Sequence, residues 1–94
     1  MKSTVVCIFA YNRIGGLKNL IKDIKKNKNF KLYEYYFFID YPKQKINLSK
    51  NLKIIKIIED FKNFAKIKIV KRKKNFGLNK NILDGINSIK KKYK

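Results

Sequence analysis

Residues 34–43 read EYYFFIDYPK, and the run Glu34–Ile39 decides the fold. No polar residue interrupts Tyr35–Ile39. A strand covered on one face alternates apolar with polar side chains. An unbroken aromatic and Ile run instead marks a strand covered on both faces, as in a parallel sheet layered between helices. Working outward, TVVCIFA at Thr4–Ala10 has the same character, and KIKIV at Lys66–Val70 reads as a third, less apolar strand.

Each strand is followed by a helical pattern. After the first, Leu17, Leu20, Ile21 and Ile24 fall on one face while Lys18, Lys22, Lys25 and Lys26 face out. After the second, Ser49 suits a helix cap, and Leu52, Ile55, Ile58, Phe61 and Phe64 recur about every three residues. Within that helix Ile54–Ile58 also reads as a short strand. After the third, Leu78, Ile82, Ile86 and Ile89 line one face of a helix that runs into Lys90–Lys94. The order β-α-β-α-β-α predicts parallel strands joined by right-handed crossovers. The class is α/β, with three β-α units of a Rossmann-like parallel sheet.

The chain has 94 residues, which suits one small domain or part of a larger one. It carries 25 Lys+Arg against 6 Asp+Glu, a formal charge of +19. That excess points toward nucleic acid or an anionic membrane surface. Yet all but two of the basic residues, Arg13 and Arg72, are Lys, and bidentate phosphate and base recognition favour Arg. Lys, Ile, Asn, Phe and Tyr make up 62 of the 94 residues, and all five have A/T-rich codons, so genome composition accounts for much of the charge.

Several chemistries are excluded. The chain has no His, so a Cys–His or Ser–His pair lacks its base, and a His/Cys zinc site lacks ligands. The single Cys7 forms no disulfide within the chain and reads as a small buried hydrophobe. The first apolar run is far shorter than the ~20 residues that span a bilayer. No small-residue cleavage site follows it. The expected location is cytoplasmic, with peripheral contact to a membrane through the Lys excess as the variant.

In open α/β sheets, ligands bind beyond the carboxyl ends of the strands. That rule selects Tyr11-Asn12-Arg13 with Gly15-Gly16, then Asp40-Tyr41-Pro42-Lys43, then Lys71 through Leu78. Singly, each has an ordinary structural reading: a turn, a turn-initiating Asp, a solvated charge run, a helix cap at Asn75 or a tight turn at Gly77. Neither GxGxxG nor a phosphate loop is present. Together they suit a nucleotide. A Tyr ring offers a stacking face, and Asp40 can accept the imide N–H of uracil. Arg13 and Lys71–Lys74 can neutralise a diphosphate beside the positive end of the third helix.

At these three segments the sequence resembles the N-terminal part of a GT-A-fold glycosyltransferase, close to family 2 and the GlcNAc-transferase-I-like group. The resembling residues are Tyr11-Asn12-Arg13, then Asp40 in FFIDYPK, then Arg72 with Asn75-Phe76-Gly77-Leu78 and Lys80. The resemblance implies a nucleotide-sugar site, most naturally for a UDP-sugar, with Asp40 on the base. It places Arg13 and Asn75–Lys80 near the diphosphate or donor sugar. Two departures stand out. Tyr41 occupies the place of a Gly common in the family turn, and the metal-binding D-x-D is nowhere in the chain. The family's divalent metal, Mg or Mn, is therefore expected only in a full-length relative. Glu59-Asp60, the only adjacent acidic pair, is expected to face solvent.

The expectation is a single partial domain over residues 1–94, the nucleotide-binding half of a glycosyltransferase and inactive in transfer by itself. The alternative is a small basic module that binds nucleic acid or an anionic surface. The family's strand order also leaves Thr4–Ala10 an unpaired edge, through which the chain is expected to self-associate.

Overall fold

A computed structural model describes residues 4–11 and 13–93. The elements run β1 (Val5–Ala10), α1 (Ile14–Lys26), β2 (Glu34–Ile39), α2 (Leu48–Phe61), β3 (Lys66–Lys71) and α3 (Leu78–Lys92), with single 3-10 turns at Phe30–Leu32 and Lys45–Asn47. The strands form a parallel sheet in the order β1-β2-β3. Val5 pairs with Glu34 and Ala10 with Ile39, while Glu34 pairs with Lys66 and Ile39 with Lys71. The chain is thus an α/β fold with a Rossmann-like β-α arrangement.

The three strands bury their residues in three different ways, and position in the sheet explains each. β2 is central and covered on both faces, so Tyr35 through Ile39 are all buried. Each such side chain contributes about 1.5–3 kcal/mol by leaving water. β1 has equally apolar residues but lies at an edge, so all six are only half-buried. β3, at the other edge, alternates exposed Lys66 and Lys68 with buried Ile67.

α1 and α2 pack on one face. There Leu17 and Ile21 meet Ile54, Ile58 and Phe61 over Tyr35, Phe37, Ile39 and Ile67. The buried stripe of α2 is Asn51, Ile54, Ile58 and Phe61. The expected stripe shares Ile58 and Phe61 with it and departs elsewhere: Leu52 and Phe64 are exposed, Ile54 is buried in place of Ile55, and Ile54–Ile58 is helical throughout. The helix also begins earlier than Ser49 suggests, at Leu48, with Asn47 at the N-cap and no capping side chain. Four apolar residues among five leave the helix phase undetermined, and the polar Asn51 on the buried face sets it. Glu59 and Asp60 are both exposed, and Asp60 makes an i, i+4 pair with Lys56 at 3.5 Å.

α3 crosses to the opposite face, over β1 and β2. It approaches closely because Gly85 has no side chain. A Cβ there would sit 2.8 Å from Phe9 Cε1 and 3.2 Å from the Phe38 ring, and those two rings stack at 5.2 Å. The far end of α3 is fastened by Tyr93, whose hydroxyl donates to Glu34 and lies 2.9 Å from the Tyr36 hydroxyl. No helix among the described residues is long and apolar enough to cross a membrane.

Candidate functional site

The crevice lies past the carboxyl ends of β1 and β2, beside the start of α3. It encloses about 310 Å³, lined by Phe9, Ala10 and Tyr11 from the first segment and Asp40 and Lys43 from the second. Asn75, Gly77, Leu78 and Asn81 complete it from the third. The lining is mostly apolar with a few convergent polar groups, the usual make-up of a small-molecule site.

Asn75 donates Nδ2 to the Tyr41 carbonyl at 2.6 Å, and three further polar ties hold these segments together. Asn51 donates Nδ2 to the Asp40 carbonyl at 2.9 Å and to the Tyr11 carbonyl at 3.5 Å, bridging the first two strand ends. The Tyr11 hydroxyl accepts the Lys43 N–H at 2.9 Å, which fixes the tyrosine ring along the crevice. Asp40 makes the third tie. Its Oδ1 accepts the N–H groups of Tyr41 at 2.9 Å and Phe76 at 2.8 Å. Its Oδ2 accepts the Gly77 N–H at 3.0 Å and Asn75 Nδ2 at 3.4 Å. A carboxylate offers about four acceptor positions, so Asp40 is fully engaged within the protein. It clasps the β3–α3 loop onto the end of β2. A nucleobase imide would reach it only by displacing one of these donors.

Gly77 is the N-cap of α3, with φ 80° and ψ 160°, a backbone region open almost only to glycine. That conformation lets two consecutive N–H groups, of Phe76 and Gly77, reach the same carboxylate. No side chain caps α3 among the described residues, so the N–H groups of its first turn, Leu78 to Lys80, lack an acceptor within the helix, and Leu78, the first of them, lines the crevice.

The expected site residues divide into two sets. Tyr11, Asp40, Asn75 and Gly77 meet at the crevice. Arg13, Arg72 and Lys80 do not line it. Arg13 is exposed at the N-cap of α1, beside an adjoining groove shared with Gly16 and Leu17. Arg72 packs behind the loop, with Cζ 5.4 Å from the Phe38 ring centre and 4.6 Å from that of Phe76. Its Nε donates to Asn81 Oδ1 at 3.0 Å. Lys80 Nζ sits 4.6 Å from the other ring contact, Phe76. Asn12 lies outside the described residues.

The sequence reading passed over Asn51 and Asn81, both buried. Asn81 donates to the Phe38 carbonyl at 3.3 Å and orients Arg72. For Asn51 the available signal was a carboxamide on an otherwise apolar helix face, since a buried polar side chain must find partners; on α3 the buried positions are Asn81 and Gly85, while Leu78 and Ile86 of the expected stripe are exposed. No cluster of three or more His, Cys, Asp or Glu that could hold a metal ion occurs among the described residues. No family profile, curated protein or solved structure matches this chain.

Proposed function

We propose that the chain binds a nucleoside-diphosphate sugar, a UDP-sugar above all, as the donor half of a GT-A-type glycosyltransferase. The observation that carries the reading is the convergence of Tyr11, Asp40-to-Lys43 and Asn75-to-Leu78 on one crevice at the carboxyl end of the sheet. In this reading the base lies against the Tyr11 ring and the apolar wall of Phe9 and Leu78. The diphosphate meets the uncapped first turn of α3, with Lys43 in the wall and Lys80 and Arg13 nearby. Asp40 acts on the ligand indirectly, by setting the loop that presents those N–H groups.

The proposal covers donor binding. Among the described residues Asp40 is the only acidic one lining the crevice, and its oxygens are engaged.

Calorimetric titration with UDP tests the reading. Saturable one-to-one binding is expected, weakened about 5- to 150-fold in Tyr11→Ala, since base–aromatic stacking contributes about 1–3 kcal/mol. Lys90→Ala, at the far end of α3, should leave the affinity unchanged. A folded chain that gives no heat with UDP would remove this function and leave the fold standing.

A further inference from the structure

Among the described residues β1 has one unpaired side, and the hydrogen-bond ladder says which groups it offers. The carbonyls of Thr4 and Ala10 accept N–H groups of Glu34 and Asp40, so the even residues of β1 bond toward β2. The odd residues, Val5, Cys7 and Phe9, therefore direct their N–H and C=O groups to the open edge. Exposed edges are normally blunted with charge, Pro or a bulge. Val5–Ala10 has no charge and no Pro, and its pairing with β2 is continuous.

The edge is flanked by apolar side chains on both faces of the sheet. On the α1 side a groove runs along Ile8, Ala10, Leu17, Leu20 and Ile54. On the α3 side Leu78 borders the same groove. Asn81 bonds the Phe38 carbonyl of β2, and Ile82 and Ile86 fall on the flank of α3 turned away from it. Leu20, Leu78 and Ile86 are 39%, 68% and 38% exposed.

We infer that β1 pairs antiparallel with β1 of a second copy, about a two-fold axis through Cys7, to give one continuous six-stranded sheet. The outward residues are symmetric about Cys7, so this register sets Cys7 opposite Cys7 and Val5 opposite Phe9. It satisfies about six main-chain groups in hydrogen-bonded pairs on each strand. The apolar flanks of α1 and α3 close over the seam from either face. A copy is the fitting occupant because the strand is self-complementary and uncharged along its length, and two-fold closure uses the same patch twice. The +19 charge on each copy opposes the approach. Salt screens that repulsion, so association strengthens with ionic strength, the reverse of polyanion binding.

Sedimentation equilibrium from micromolar to submillimolar chain, at low and high salt, reads the association directly. A monomer–dimer equilibrium that shifts toward dimer in high salt is expected. On concentrating the sample, amide exchange should slow at Val5, Cys7 and Phe9 and stay unchanged at Val6, Ile8 and Ala10. Diamide, which oxidises two thiols to one disulfide, should then link the copies through Cys7. Opposed Cα atoms in a hydrogen-bonded pair lie about 5.5 Å apart, within disulfide reach. Val5→Lys should weaken the dimer about tenfold or more. The proposal is overturned by a monomer under every condition, which would leave the edge to a strand of another protein. It is equally overturned by a dimer in which the Val5, Cys7 and Phe9 amides exchange as fast as in dilute solution.

Discussion

Asp40 and Glu34 stand at opposite ends of β2, on the same face, and each holds one end of α3. Asp40 is buried and accepts backbone N–H groups of Phe76 and Gly77 just before the helix begins. Glu34 is half-buried and accepts a side-chain hydroxyl, that of Tyr93, just after the helix ends. The chemistry is similar and the consequences differ. Backbone donors cannot swing away to water when the carboxylate is lost, and a buried N–H without a partner costs about 1–3 kcal/mol. A phenol at the surface simply turns to solvent. The crevice end of α3 is therefore fixed and the far end is tethered, which suits a binding site that depends on where a few N–H groups point.

Substitutions can break this contrast. The largest loss is expected for Asp40→Ala, which strands the Phe76 and Gly77 N–H groups and should cost about 2–5 kcal/mol in urea unfolding. For a small domain that is a large share of the total stability, about 5–15 kcal/mol. Gly77→Ala keeps the carboxylate but forces a side chain into a glycine-only conformation, for about 1–3 kcal/mol. Because it strains the same loop, both variants should loosen UDP binding as well as the fold.

Tyr93→Phe should cost least and should leave UDP affinity untouched. Its effect carries a pH signature. Hydrogen bonds to Glu34 and then Tyr36 hold the Tyr93 phenol well above its ordinary value near 10. A raised value in the folded state means that the contribution is present below about pH 10 and fades as the pH climbs further. The difference in urea midpoint between wild type and Tyr93→Phe should thus narrow in strongly alkaline buffer. A gap that widens there would contradict the Glu34 tether.

How much of this was legible beforehand differs by level. β2 was readable to the residue because central strands need unbroken apolar runs, whereas β3 was read as Lys66–Val70 and runs on to Lys71, its exposed Lys66 and Lys68 marking one-sided burial. β1 reads like β2 in composition, and only the strand order separates a buried strand from an edge. The phase of α2 was ambiguous because Ile54–Ile58 satisfies more than one helical face. At the site, the convergence of Tyr11, Asp40, Asn75 and Gly77 followed from the rule about strand ends. The role of Asp40 did not follow. Phe76 and Gly77 lie more than thirty residues away, and only closure of the sheet brings their N–H groups to it. Arg72 shows the same limit: as a cation after a strand it suggests phosphate, yet Phe38, Phe76 and Asn81 claim it.

The central claim is that the Asp40 end of the sheet, and not the Glu34 end, receives an anionic nucleotide. A titration of the ¹⁵N-labelled chain with UDP, followed amide by amide, tests it most directly. The account predicts saturable shifts confined to Tyr11, Lys43 and Asn75 through Lys80, with Glu34, Tyr36 and Tyr93 unmoved. Shifts scattered over the lysine-rich helix faces and abolished by salt, or no shifts on a folded sample, would contradict it.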